Sequence, residues 1–112
     1  MGGVTTNLAQ AYADVELYDN AVKIAQSDAR VKELLGEIQP IDKLAIIEGQ
    51  VEYSDGNKTV NTTIRVIGTK GKANLDISAN RINDVWVYKI IKIRIKTPPQ
   101  KKQTIKITSE DY

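Results

Sequence analysis

Three groups of side chains in this 112-residue sequence have types and spacings that could do chemistry. The first is Gly68-Thr69-Lys70-Gly71-Lys72, a glycine-lysine run of the kind whose backbone N–H groups can cradle phosphate. A phosphate loop must open a helix, whereas Lys72 leads into alternating polar and apolar residues, so this run is expected to be a hairpin turn. The second group is Asp14, Glu16 and Asp19, three carboxylates that could attract a cation. They lie on a helical pattern without the spacing of a calcium loop, and a solvated acidic face is expected. The third is Lys92, Arg94 and Lys96, followed by Lys101, Lys102 and Lys106. Alternation puts the first three on one face of a strand, where they either protect a sheet edge or meet an anionic partner. Nucleic acid would call for aromatic residues between the charges, and the stretch 92–106 has none. Anionic lipid headgroups or an acidic protein segment suit it better.

Composition narrows the chemistry further. The chain has no histidine and no cysteine. Disulfides are impossible, zinc, copper and haem sites lose their usual ligands, and neither a Ser-His-Asp nor a Cys-His arrangement can be built. No catalytic residue, cofactor-binding residue or metal ligand stands out, and the chain is not expected to be an enzyme. The formal net charge of +2 hides an asymmetry: residues 1–57 hold ten acids and four bases, residues 58–112 four acids and twelve bases. An acidic helical layer against a basic sheet is expected.

The elements that must position these residues follow from periodicity. Leu8, Tyr12, Val15, Tyr18, Val22 and Ala25 recur every three or four residues, widened by Leu17, Ala21 and Ile24, and predict an amphipathic helix starting near residue 8 or 14 and ending near 26. Ser27-Asp28 offers a cap for a second helix, Ala29 to Leu35, with Val31, Leu34 and Leu35 inward and Gly36 after its end. From Leu44 the period changes to two, predicting a first strand through Tyr53, then the turn Ser54-Asp55-Gly56-Asn57. The second strand turns Val60, Thr62, Ile64 and Val66 to one face, the third Ala73, Leu75, Ile77 and Ala79. Asn83-Asp84 turns into a fourth strand, Val85 to about Lys96, with Val85, Val87, Ile91, Ile93 and Ile95 on the core face and Lys89 as the exception. Pro98-Pro99 ends it, and Ile105 and Ile107 mark a short last strand.

Short turns require antiparallel pairing, and clean alternation requires one buried face. The expected fold is α+β: two N-terminal helices packed on one face of a four- to five-stranded antiparallel sheet, in a single domain. Residues 1–7 are expected to be a flexible, appended start, 8–36 a helical layer and 44–109 the sheet. Trp86, Tyr88 and Ile90 then fall on the wet face beside Lys92, Arg94 and Lys96. Large apolar residues there call for local cover by the C-terminal segment, a partner surface, or a β-bulge that swaps the faces. The six together are the candidate partner surface.

The run from Tyr18 to Val31, the ending Leu34-Leu35-Gly36-Glu37, Ile46-Ile47-Glu48-Gly49, Gly68-Thr69-Lys70-Gly71-Lys72-Ala73 and Val85-Trp86 resemble, in order and spacing, the cytochrome oxidase complex assembly protein 1 family. Ala29 stands where that pattern often has proline, a difference confined to a cap position. The resemblance covers about residues 14–96. It implies a membrane-anchored domain exposed outside the cytoplasm or in the mitochondrial intermembrane space, its anchor absent from this sequence. It also implies a non-catalytic assembly factor for cytochrome c oxidase that holds a membrane protein or assembly intermediate, and no catalytic residues to carry over. The alternative is a generic protein- or lipid-binding envelope or translocase-associated domain of the same fold.

Overall fold

Leu17, Tyr18, Ala21 and Ala25 form the fully buried stripe of the first helix, α1 (Val15–Gln26). This computed structural model describes residues 14–108; the helical positions Leu8 and Tyr12, the start 1–7 and the tail 109–112 lie outside them. The stripe is rotated from the expected one, with Val15 exposed and Val22 half-buried, because Leu17 and Tyr18 together occupy the centre of the contact. The Asp28 carboxylate accepts the Arg30 N–H at 2.8 Å and caps α2 (Ala29–Leu35), which ends at Gly36 with φ +74°.

Residues 44–48 depart from the expected strand. They belong to a third helix, α3 (Lys43–Glu48), capped by Asp42, whose carboxylate accepts the Ala45 N–H at 2.8 Å. The apolar tetrad Leu44-Ala45-Ile46-Ile47 has no period of its own, and the cap decides it: Ala45 and Ile46 go inward, whereas Leu44 and Ile47 stay 51% and 50% exposed. The helix stops at Gly49, where any Cβ would meet the Thr63 carbonyl.

Five strands follow in one antiparallel sheet whose spatial order is their sequence order: β1 (Gln50–Ser54), β2 (Thr59–Ile67), β3 (Lys72–Ile82), β4 (Val85–Thr97) and β5 (Gln103–Thr108). Among the described residues the architecture is α+β, three helices preceding a five-stranded antiparallel sheet. Asp55, Gly56 and Asn57 all take positive φ in the first turn, and Asn83 and Asp84 do so in the second, which closes the pair Ile82↔Val85. Between β2 and β3 the Gly68-Thr69-Lys70-Gly71 run is a hairpin connection, held by Gly68 N–H donating to the Gly71 carbonyl at 2.8 Å.

The inward residues of β2 and β3 are those the alternation names. Val60, Ile64, Val66, Ala73, Leu75, Ile77 and Ala79 are buried in one cluster with Ile91, Ile93, Ile95, Ile105 and the α1 stripe, and Thr62 is buried beside them. Each fully buried isoleucine or leucine contributes about 1.5–3 kcal/mol relative to exposure. The one polar member is satisfied: Thr62 Oγ1 lies 3.0 Å from the Tyr18 hydroxyl and 2.7 Å from the Gln50 carbonyl.

The face assignment of β4 holds only for its second half. Ser78 pairs with Ile90 and Ala79 with Tyr88, so Lys89 is an extra, unpaired residue. This bulge reverses the parity. Ile91, Ile93 and Ile95 are core, as expected, but Val85 is 61% exposed, Val87 is only half-buried, and Tyr88 takes the inward place at 7% exposure. Among the described residues β5 pairs with Ile91–Ile95 and leaves Val85–Ile90 without a strand partner on that side.

Candidate interaction surface

The β4 residues beyond the bulge present Ile90, Lys92 and Arg94 on the sheet face opposite the core, with the exposed Lys96 following as the extra residue of a second bulge. Their neighbours are set by register: Ser78 beside Ile90, Asp76 beside Lys92, Asn74 beside Arg94, and on the other side Lys106 beside Lys92 and Thr104 beside Arg94. A shallow trough runs across this face, floored by the small polar side chains Asn61, Thr63 and Ser78 and rimmed by Ile90, Lys92 and Arg94. It continues past Thr63 and Arg94 toward Arg65, Lys72 and Lys96.

Charges on this face are partly neutralised. Arg94 grips Asp76 with two nitrogens, Nε to Oδ2 at 2.7 Å and Nη2 to Oδ1 at 2.9 Å, and Thr63 Oγ1 donates to Asp76 Oδ1 at 2.6 Å. Partial burial alone would push the Asp76 carboxyl up, but the Arg94 and Thr63 hydrogen bonds hold it below the usual range. The same bond to Asp76 raises Arg94 above its ordinary value. Arg65 Nε pairs with Glu48 Oε1 at 2.7 Å. Among the described residues no salt bridge engages Lys72, Lys92, Lys96 or Lys106. With Glu52 also lining the trough, the face keeps a net positive charge over a polar floor, which suits an anionic surface.

Trp86 and Tyr88 are not on this face. The Tyr88 hydroxyl donates to the Leu17 carbonyl at 2.7 Å, which ties β4 to α1, and its burial pushes the phenol pKa up. Trp86 packs half-buried at the edge of the core. The Arg81 guanidinium sits 4.4 Å from the centre of its ring, and the Tyr53 ring is 6.5 Å away at 44°. Behind them Asp14 accepts from Arg81 Nη2 and from the Tyr53 hydroxyl, both at 2.8 Å. Burial, then the bond to that carboxylate, raises the Tyr53 phenol far above its ordinary value. Thus Asp14 is a structural anchor, and the six candidate residues do not share one surface: Tyr88 is core and Trp86 lies at its edge. Nothing in the sequence pattern joins Asp14, Tyr53, Arg81 and Trp86, because four different elements or their ends supply them. Among the described residues no group of three or more acids is placed to hold a metal ion, and no helix is long and apolar enough to cross a membrane.

The model of one protein family, cytochrome oxidase complex assembly protein 1, matches residues 4–109. The chain belongs to this family. No curated protein and no solved structure matches it. Membership carries a role in cytochrome oxidase assembly. It also gives the short motifs of the family a physical meaning in this chain. Gly36 takes a left-handed φ and has no room for a Cβ beside the Thr69 hydroxyl, and Gly68 has none beside the Leu35 carbonyl. That close approach lets Lys70 N–H donate to the Leu35 carbonyl at 2.8 Å, Thr69 N–H to Glu37 at 3.0 Å and Gln39 N–H to Ile67 at 2.8 Å. The Leu-Gly-Glu ending of α2 and the Gly-Thr-Lys-Gly turn are two halves of one clasp. Gln26 completes it, donating to the Gly36 carbonyl at 2.9 Å and accepting the Ile38 N–H at 2.7 Å.

Proposed function

We propose that the chain is a non-catalytic, membrane-tethered interaction domain that serves cytochrome c oxidase assembly outside the cytoplasm by holding an assembly intermediate. In this reading the three helices cover one face of the sheet and leave the other as the working surface, with Ile90, Lys92, Arg94 and Lys96 as its centre. The family match over residues 4–109 carries the oxidase assignment, and the lysines without salt bridges on the open face support that surface as the point of contact. Holding an intermediate needs a broad, reversible contact, and a polar trough with a cationic rim supplies one whose strength falls with salt.

Affinity capture from detergent-solubilised membranes of the source organism tests this. The domain is expected to retain oxidase core subunits at low salt and release them at high salt. A Lys92→Gln/Lys96→Gln variant is expected to lose most of them while keeping its urea midpoint, since neither lysine is in a salt bridge. Retention of envelope or translocase proteins without any oxidase subunit would favour the generic binding domain. Retention only of anionic lipid would assign the stripe to headgroups.

A further inference from the structure

Exposed apolar side chains gather at one end of the molecule. Ile82 and Val85, 53% and 61% exposed, flank the Asn83-Asp84 turn and pair with each other across it. Val15, also exposed, opens α1 directly after Asp14, which is bonded to Arg81, the neighbour of Ile82. Immediately inside this apolar tip lie Trp86, with the Arg81 guanidinium over its ring, and Tyr53, tilted against Trp86. An apolar tip backed by tryptophan, tyrosine and arginine has the layering of a water–bilayer boundary, where amphipathic rings sit at headgroup depth. The position of α1 adds an independent reason. Residue 14 is held at this end by Arg81 and Tyr53, so the preceding chain joins the fold there.

We infer that the β3–β4 hairpin end is a contact site for the bilayer interface, with Ile82 and Val85 inserted among the first methylenes below the headgroups and Trp86 just above them. This rests on the reading of the domain as tethered through its N-terminal side. The charges at this end, Lys58, Arg81 and Lys89 against Asp14, Glu16, Asp55 and Asp84, nearly balance. The contact is therefore apolar and indifferent to salt, unlike the trough on the open face.

Trp86 is the only tryptophan and reports the contact directly. The chain is attached through an N-terminal hexahistidine tag to phosphatidylcholine vesicles carrying a nickel-chelating lipid, with or without brominated acyl chains. This artificial tether stands in for any natural one, so the result is independent of the oxidase reading and of its capture experiment. Brominated vesicles are expected to lower Trp86 fluorescence at least twofold relative to unbrominated ones, equally at low and high salt. Ile82→Ser/Val85→Ser is expected to abolish most of that drop with its urea midpoint unchanged. If the double variant is destabilised, Val85→Ser alone, at the more exposed position, is expected to halve the drop. Equal fluorescence on both vesicle types overturns the proposal. So does quenching that needs anionic lipid and disappears in salt, which would place the contact on the basic trough, and so does quenching unaffected by the substitutions.

Discussion

Thr62 is the buried polar residue on which most depends. Its single hydroxyl proton goes to the Gln50 carbonyl at 2.7 Å, so the Tyr18 hydroxyl 3.0 Å away must be the donor in their bond. The two bonds form a directed chain from α1 through β2 to β1. Tyr18→Phe removes the first donor and leaves Thr62 its other bond, and is expected to cost about 1 kcal/mol in urea unfolding. Thr62→Val strands both the Tyr18 hydroxyl and the Gln50 carbonyl, and about 2–3 kcal/mol is expected. The reverse order of costs would show that the chain is not directed as described. Asp76 makes a second prediction at this scale. Its folded pKa is depressed, so its contribution to stability is fully present above the unfolded value of about 4 and is lost as pH falls through the folded one. Arg94→Gln is expected to destabilise by about 1 kcal/mol at pH 7, a partly exposed pair being screened by water. Below about pH 4 the difference from wild type is expected to shrink in urea titrations, and a gap independent of pH would place Arg94's contribution in packing.

The Asn83-Asp84 turn is strained at the level of the element. Both residues take positive φ, at 53° and 64°, where a side chain costs about 1 kcal/mol. Asp84→Gly relieves that strain at the cost of about 0.4–1 kcal/mol of added unfolded-state entropy, so the thermal midpoint is expected to rise only slightly, by a net gain of at most about 0.5 kcal/mol. At the clasp the sign reverses. Gly68→Ala would drive a methyl into the Leu35 carbonyl and separate α2 from the β2–β3 turn, so a loss of at least about 2 kcal/mol is expected. The same elements show what periodicity could and could not reveal. The inner residues of β2 and β3 were readable because nine to eleven residues alternate without interruption against one core. α3 was not, because a single cap at Asp42 decides a six-residue segment that is apolar at four adjacent positions. The Lys89 bulge was legible only as one of three ways to account for Trp86, since counting by twos cannot register an extra residue. Ile90, Lys92 and Arg94 share a face because all three lie beyond it and before a second bulge at Lys96. Trp86 and Tyr88 were misplaced because they lie before it. The Asp14–Arg81–Trp86–Tyr53 cluster left no trace, being assembled by tertiary contact from residues up to 72 positions apart.

For the whole molecule, the charge asymmetry of the sequence acquires a direction. The lysines of the open face come from β3, β4 and β5, whereas Glu16 and Asp19 project from α1, so a dipole runs from the helical side to the open face. Such a dipole orients the domain as it approaches an anionic surface, basic face first, with a rate that falls with ionic strength. The family role in oxidase assembly and the broad, shallow face are compatible in scale, because an assembly partner is handed on and must be released.

The unbroken strand order of the sheet has a kinetic corollary. Every strand pairs with its sequence neighbour, and the tightest closure, at Ile82↔Val85, spans two residues. Such hairpins close in microseconds, whereas the Tyr88–Leu17 bond must bring together residues 71 apart. Topology thus separates an early event, zippering of β2–β3–β4, from a late one, docking of α1. Ile77→Val is expected to slow refolding in stopped-flow measurements, with a φ-value above about 0.5, while Leu17→Ala is expected to speed unfolding and give a φ-value near zero. Until α1 docks, the row Leu75, Ile77, Ile91 and Ile93 stands uncovered. The newly made chain thus passes through a sheet that is sticky on its inner side before that face is sealed.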